Sequence, residues 1–204
     1  MFLRLRLAGG GAIVIAVVAL PFALSAFVEG PAPSPFVEGP LPGMTGGFGE
    51  PSCHQCHFDN PIGEPSGRLT LSSVPRIYVS GARYALKIAL RRPGLSRGGF
   101  QIAARFAAGP LAGAQAGRLA PADDRVQVVH DPARPAIDYA QHTAGGTRAP
   151  RAGELEWTVR WIAPDEARDP VVFHVAANAA NDDASPLGDF IYAGEARSAP
   201  AAAR

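Results

Sequence analysis

Cys53 and Cys56 are the only cysteines of the 204-residue sequence, and both stand in one pentapeptide, Cys53-His54-Gln55-Cys56-His57. Two thiols three positions apart, followed at once by an imidazole, form the spacing of covalent c-type haem attachment. Each thiol can add to one haem vinyl group while the histidine reaches the iron as proximal ligand. On that reading Cys53, Cys56 and His57 hold a covalently bound haem c, and the chain is an electron carrier, or a haem sensor or small peroxidase with a vacant iron position, rather than a conventional enzyme. Two other chemistries share the spacing. One is a short-loop disulfide between Cys53 and Cys56 in an exported protein, which would make the chain a haem-free binding or adhesion module; the other is half of a zinc site, closed by His54, His57 and distant histidines. A thioredoxin-type motif would open a helix within a βαβ pattern, and no such pattern follows.

With His57 on one side of the iron, the other side could draw on Met44, His54, His130, His142 or His174. His54 lies inside the attachment loop and is badly placed. Met44 precedes Cys53 by nine residues in a glycine-rich stretch that could fold back, and a thioether ligand would raise the reduction potential relative to two histidines. His142 alternates with Ala140 and Asp138, opposite Ile137 and Tyr139, and is expected to project from its strand; it is the favoured distal ligand, with Met44 as runner-up. The competing role for His142 is a hydrogen bond to a loop. His174 and His130 carry less weight.

The first residues hold Arg4 and Arg6, and Leu7 to Phe27 carries no charge. The dense apolar part, Ala12 to Leu20, is short for a bilayer span, and Pro21 followed by Ala23-Leu24-Ser25-Ala26 suits signal-peptidase cleavage. Residues 1–26 therefore read as a cleaved signal peptide, or as an uncleaved N-terminal anchor with its positive end inside. Either way the rest is expected outside the cytoplasm, periplasmic or at the outer face of a membrane. About 175 residues then remain, enough for one domain with a core. With 19 Lys+Arg against 18 Asp+Glu the charges nearly cancel, so nothing argues for nucleic acid. The partner expected is an unidentified redox protein, with the membrane met through residues 7–27.

Phe27-Val28-Glu29-Gly30-Pro31 recurs as Phe36-Val37-Glu38-Gly39-Pro40, and Gly43 to Gly49 is glycine-rich. Such a stretch favours extended conformations and supplies little apolar surface, so residues 27–51 read as a tether. From Gly67 the pattern becomes short alternating runs separated by Gly, Pro, Asp and Asn, the mark of strands in a sandwich. The runs are Arg68 to Val74, Tyr84 to Leu90, Phe100 to Phe106, Arg125 to His130, Ala136 to Thr143, Leu155 to Trp161, Val171 to Ala177 and Asp189 to Tyr192. The clearest puts Leu155, Trp157, Val159 and Trp161 on one face, so both tryptophans read as core rather than as electron relays. About eight strands at this spacing predict an all-β, antiparallel, immunoglobulin-like sandwich over residues 52–197, headed by the attachment loop, with 198–204 as a tail.

Several segments, in order, resemble the Reeler fold, the sandwich at the N-terminus of reelin, and in particular bacterial exported versions that carry Cys-x-x-Cys-His ahead of the sandwich. They are the pentapeptide itself, Arg97-Gly98-Gly99-Phe100-Gln101, Tyr139-Ala140-Gln141-His142-Thr143, Trp157 through Trp161-Ile162-Ala163-Pro164, Phe173 through Asn181, and Gly188-Asp189-Phe190-Ile191-Tyr192. The resemblance implies the sandwich and little about substrate, since Reeler sandwiches in general need no haem. It also implies that the histidine of Tyr139-Ala140-Gln141-His142-Thr143 ends a strand in a recurring motif. The bacterial versions often end in an anchor or sorting tail not seen here, which shifts the expected attachment to the N-terminal segment. Asn178, Asn181, Asp182, Asp183 and Asp189 could offer oxygens to calcium, but their spacing is not that of an EF-hand and a solvated turn is the favoured reading. No P-loop or Gly-x-Ser-x-Gly is present.

Overall fold

The structure, a computed structural model, describes residues 36–202; the expected signal or anchor segment and the first copy of the repeat lie outside the described residues. Ten strands form two sheets. They are β1 (Arg68–Ser72), β2 (Ile77–Tyr78), β3 (Arg83–Arg91), β4 (Arg97–Phe106), β5 (Arg118–Pro121), β6 (Val126–Asp131), β7 (Arg134–His142), β8 (Glu154–Ile162), β9 (Val171–Ala180) and β10 (Phe190–Pro200). One sheet has the order β1-β3-β8-β5 and the other β2-β10-β9-β4-β7-β6. Every pairing is antiparallel except β2 with the end of β10. Among the described residues no helix is long and apolar enough to cross a membrane.

Alternation decides which side chains meet between the sheets. Leu86, Ile88 and Leu90 of β3, Leu155, Trp157, Val159 and Trp161 of β8, Phe100, Ile102 and Ala104 of β4, and Phe173, Val175 and Ala177 of β9 are all buried in one cluster. The tryptophans bridge the layers: Trp157 stands 4.8 Å from Phe100, and Trp161 meets Phe173 edge-on at the same distance. Each indole N–H still finds an acceptor, Trp157 at Gly146 O and Trp161 at Ala116 O, both 2.8 Å. Burying a side chain of this class contributes about 1.5–3 kcal/mol, so this double layer is the main source of stability. The all-β sandwich read from the sequence is the fold observed.

Three features depart from the expectation. β2 and β5 were not foreseen, being two and four residues long. Residues 198–200, expected as a tail, continue β10, where Ala199 and Pro200 pair with Ile77 and Tyr78. The third concerns the expected tether. Residues 36–50 are a strap laid on the outer face of the six-stranded sheet, which explains why β4 is buried along almost its whole length. Met44 N–H donates to Gln101 Oε1 at 2.6 Å, and Gln101 Nε2 donates to Leu41 O at 3.0 Å. The strap ends on buried Glu50, which takes hydrogen bonds from Arg105 Nη2, from Tyr139 OH at 2.5 Å and from Thr45 Oγ1 at 2.6 Å. A proline- and glycine-rich segment brings little apolar surface, and beside the small cluster of Ala103, Ile137 and Tyr139 the strap is held by its backbone and by the carboxylates of Glu38 and Glu50.

Candidate functional site

The strap delivers the chain to the Cys-x-x-Cys-His turn. Thr45 bridges Ser52, and Ser52 then caps a single 3₁₀ turn, Cys53–Gln55, with its Oγ accepting His54 N–H at 3.3 Å. Cys56 N–H and His57 N–H both donate to Cys53 O, at 3.3 and 3.2 Å, so the two sulfurs and the imidazole issue from one tight loop. Both thiols are free. Cys53 is half-buried and its thiol is pushed up to about 12, chiefly by burial and further by the nearby Cys56, while Cys56 is exposed.

His57 is seated on the ends of β9 and β10. Its Nδ1 lies 2.8 Å from Asp189 Oδ2 and 3.2 Å from Pro186 O. The Asn178 amide nitrogen is 3.3 Å from Nδ1 and 3.4 Å from Nε2, distances that place it over the ring face and not in the ring plane. Asn178 also donates to Asp189 Oδ2 at 2.9 Å, and Asn60 donates to Asp189 O at 2.9 Å. The loop after the motif is pinned by Gly63 N–H to Ile191 O at 2.8 Å and by Gly188 N–H to Asp59 Oδ2 at 2.5 Å. Around this seat Phe58, Ile62 and Leu187 are exposed, Phe58 to 64%.

The other sequence candidates lie elsewhere. His142 does not project from the sandwich: it is buried at the end of β7, Nδ1 accepts Phe100 N–H at 3.0 Å, and the ring also bonds to the backbone at Phe36. The expected faces of β7 are reversed. Ala140 joins the main core, whereas Ile137 and Tyr139 form a second cluster with Ala103 under the strap, because that outer face is covered and not solvated. The ring of His142 fills the space above Gly99, where a Cβ would collide with it, and Gly99 is the register partner of Asn178. The two histidines thus attach to facing positions of β4 and β9, yet different groups hold them.

Met44 is half-buried with its backbone bonded to Gln101. His54 Nε2 is 3.0 Å from Asn60 O, His130 is 3.1 Å from Asp138, and His174 is 3.3 Å from Glu195 with Phe48 edge-on above it. The oxygen set considered for calcium is divided: Asn178 and Asp189 serve His57, Asp182 pairs with Arg97, and Asn181 bonds to Asp183. Among the described residues no group of three or more His, Cys, Asp or Glu side chains is arranged to hold a metal ion. The partners of His57, namely Asp189, Asn178 and Pro186, were not foreseen; the signal that could have found them is Asn178 on the polar face of an otherwise apolar strand.

No family model matches the chain, and no curated protein matches it. Among solved structures, the Reelin-N domain of F-spondin is 16% identical, with 73% of this chain and 97% of that chain covered and a TM-score of 0.47. The human F-spondin reeler domain is also 16% identical, with 68% and 92% covered and a TM-score of 0.42. A cohesin module from a Clostridium perfringens family 33 glycoside hydrolase is 10% identical, with 67% and 98% covered and a TM-score of 0.41. Likenesses this loose say nothing about what the chain binds.

Proposed function

We propose that the chain is an exported monohaem c-type cytochrome that carries single electrons outside the cytoplasm, in the periplasm or at the outer face of a membrane. The observation that carries this reading is the local geometry: two free thiols and one imidazole on a single tight turn, with exposed Phe58, Ile62 and Leu187 beside it. The donor set fits the group. Cys53 and Cys56 would each add S–H across a vinyl double bond, sulfur to one carbon and hydrogen to the other, so no outside oxidant or reductant is consumed. His57, with Nδ1 turned to Asp189 and Pro186, would offer Nε2 to the iron. The bound iron would supply one-electron chemistry. The apolar residues would then shield the porphyrin edge from water. His142 is occupied with backbone, so the opposite iron position is assigned no protein ligand.

The test is a pyridine haemochrome spectrum and intact mass of full-length protein exported in a host with c-type haem maturation. The expected result is one covalent haem, lost in Cys53→Ser/Cys56→Ser, with His57→Ala retaining thioether-linked haem at most in a misligated form. No mass increment on the wild-type chain would overturn it. The second reading is a haem-free binding module, supported by a core that side chains alone complete. It predicts that result, together with a Cys53–Cys56 disulfide in the exported protein.

A further inference from the structure

Asp189 is only 1% exposed, and no arginine or lysine forms an ion pair with it among the described residues; its one ionisable partner is His57. Its Oδ1 is buried without a hydrogen-bond partner. A carboxylate kept so dry costs several kcal/mol unless something offsets it. Two contacts hold it in place: Asn178 Nδ2 on Oδ2 from β9 and Asn60 Nδ2 on its carbonyl from the motif loop, both at 2.9 Å. Neither contact needs a negative charge. What Oδ2 faces besides Asn178 is the imidazole.

A neutral imidazole has one N–H and one lone pair. With a carboxylate oxygen 2.8 Å from Nδ1 and a carbonyl oxygen 3.2 Å from it, a lone pair at Nδ1 would face two acceptors, whereas an N–H there is satisfied by both. The proton therefore belongs on Nδ1, and the lone pair on Nε2.

Resting on the haem reading above, we infer that Asp189 is a positioning residue that holds His57 as the Nδ1–H tautomer with Nε2 ready to ligate, and that this acceptor on the far N–H then lowers the reduction potential of the iron. A strong hydrogen-bond acceptor on the far N–H strengthens electron donation through the ring and favours the ferric state.

Two measurements test it. In the full-length chain with Cys53→Ser and Cys56→Ser, ¹⁵N shifts of the His57 ring, read where imidazole is neutral, should show the proton on Nδ1. Asp189→Ala in that chain leaves only the Pro186 carbonyl at Nδ1 and should weaken the preference, while Asp189→Asn keeps an acceptor and should keep the tautomer. In the holoprotein, Asp189→Asn should raise the midpoint potential with haem content unchanged, a separation that a purely structural acid would not give. A His57 proton on Nε2 in the parent chain, or an unchanged potential in Asp189→Asn holoprotein, would overturn the inference. The parent tautomer is read with Asp189 intact, so it decides the matter even if a variant fails to fold. Absence of covalent haem on the wild type is a different failure: it sinks the haem reading and the potential with it, while the tautomer remains decided by the ¹⁵N spectrum.

Discussion

Burial holds the imidazoles of His142 and His174 below the ordinary histidine range, because charging either would strip hydration that the fold does not fully replace. The Phe100 carbonyl, 3.3 Å from Nδ1, and the backbone at Phe36, with Glu38 nearby, favour the charged ring and pull His142 partly back; Glu195 does so for His174, against Arg105 and Arg197. Both titrate near about 6.5 in the unfolded chain, so just below that value the unfolded state binds more protons than the native one. Stability is then full above about pH 6.5 and falls as the pH drops through that value toward the lower folded one. The urea midpoint should decline over that window, and His142→Gln should flatten part of the decline; an equally steep decline in the variant would remove His142 as a cause. His142→Ala orphans the Phe100 N–H and should cost about 1–3 kcal/mol, with the haem spin state unchanged. A loss of low-spin character would instead restore His142 as an iron ligand. At this scale spacing made Cys53, Cys56 and His57 legible. Asn178 meets His57 across 121 positions of sequence, a contact that no local pattern encodes.

The strap shows where element reading stopped. Alternation located β1, β3, β4 and β6 to β10 because each buries a period-two apolar row, whereas β2 and β5 are too short to show a period. The strap has no period at all, and its anchor is a charge. Glu50 lies buried against Arg105, Tyr139, Thr45 and, at 3.2 Å, Arg134. Tyr139 is correspondingly pushed upward in pKa, first by burial and then by its bond to Glu50. Glu50→Ala leaves Arg105 buried without its carboxylate and should destabilise by about 3–5 kcal/mol. Because the strap leads straight into Ser52 and the Cys-x-x-Cys-His turn, amide exchange should quicken across 41–57 before the core strands respond. Uniform exchange loss, or a stability change under about 1 kcal/mol, would show that Glu50 does not anchor the strap. Where β4 passes beneath His142 the constraint is steric: Gly99→Ala would drive a methyl into the ring, and a cost of about 1–3 kcal/mol is expected in the same denaturation assay.

For the molecule as a whole, the Cys-x-x-Cys-His turn contributes no buried residue at Cys53–Gln55, and neither Cys53, Cys56 nor His57 belongs to the core cluster. Haem would therefore be added to a sandwich already complete, the reverse of proteins whose fold collapses without their prosthetic group. The apolar collar of Phe58, Ile62 and Leu187 sits outside the double layer, so covering it changes exposed area and not core packing. It follows that the Cys53→Ser/Cys56→Ser chain should unfold in one cooperative transition, with a Tm within a few degrees of unmatured wild type, since Cys56 is exposed, Cys53 is half-buried outside the core cluster, and a typical single substitution costs about 1 kcal/mol. Trp161→Ala, by contrast, removes the indole that joins β8 to Phe173 and strands the Ala116 carbonyl, and should cost about 3–5 kcal/mol in either background. Calorimetry of the two variants side by side distinguishes the cases. Should the serine chain lose its cooperative transition, the motif would be holding the sandwich together, and the separation between a self-sufficient fold and an appended Cys-x-x-Cys-His turn would have to be abandoned.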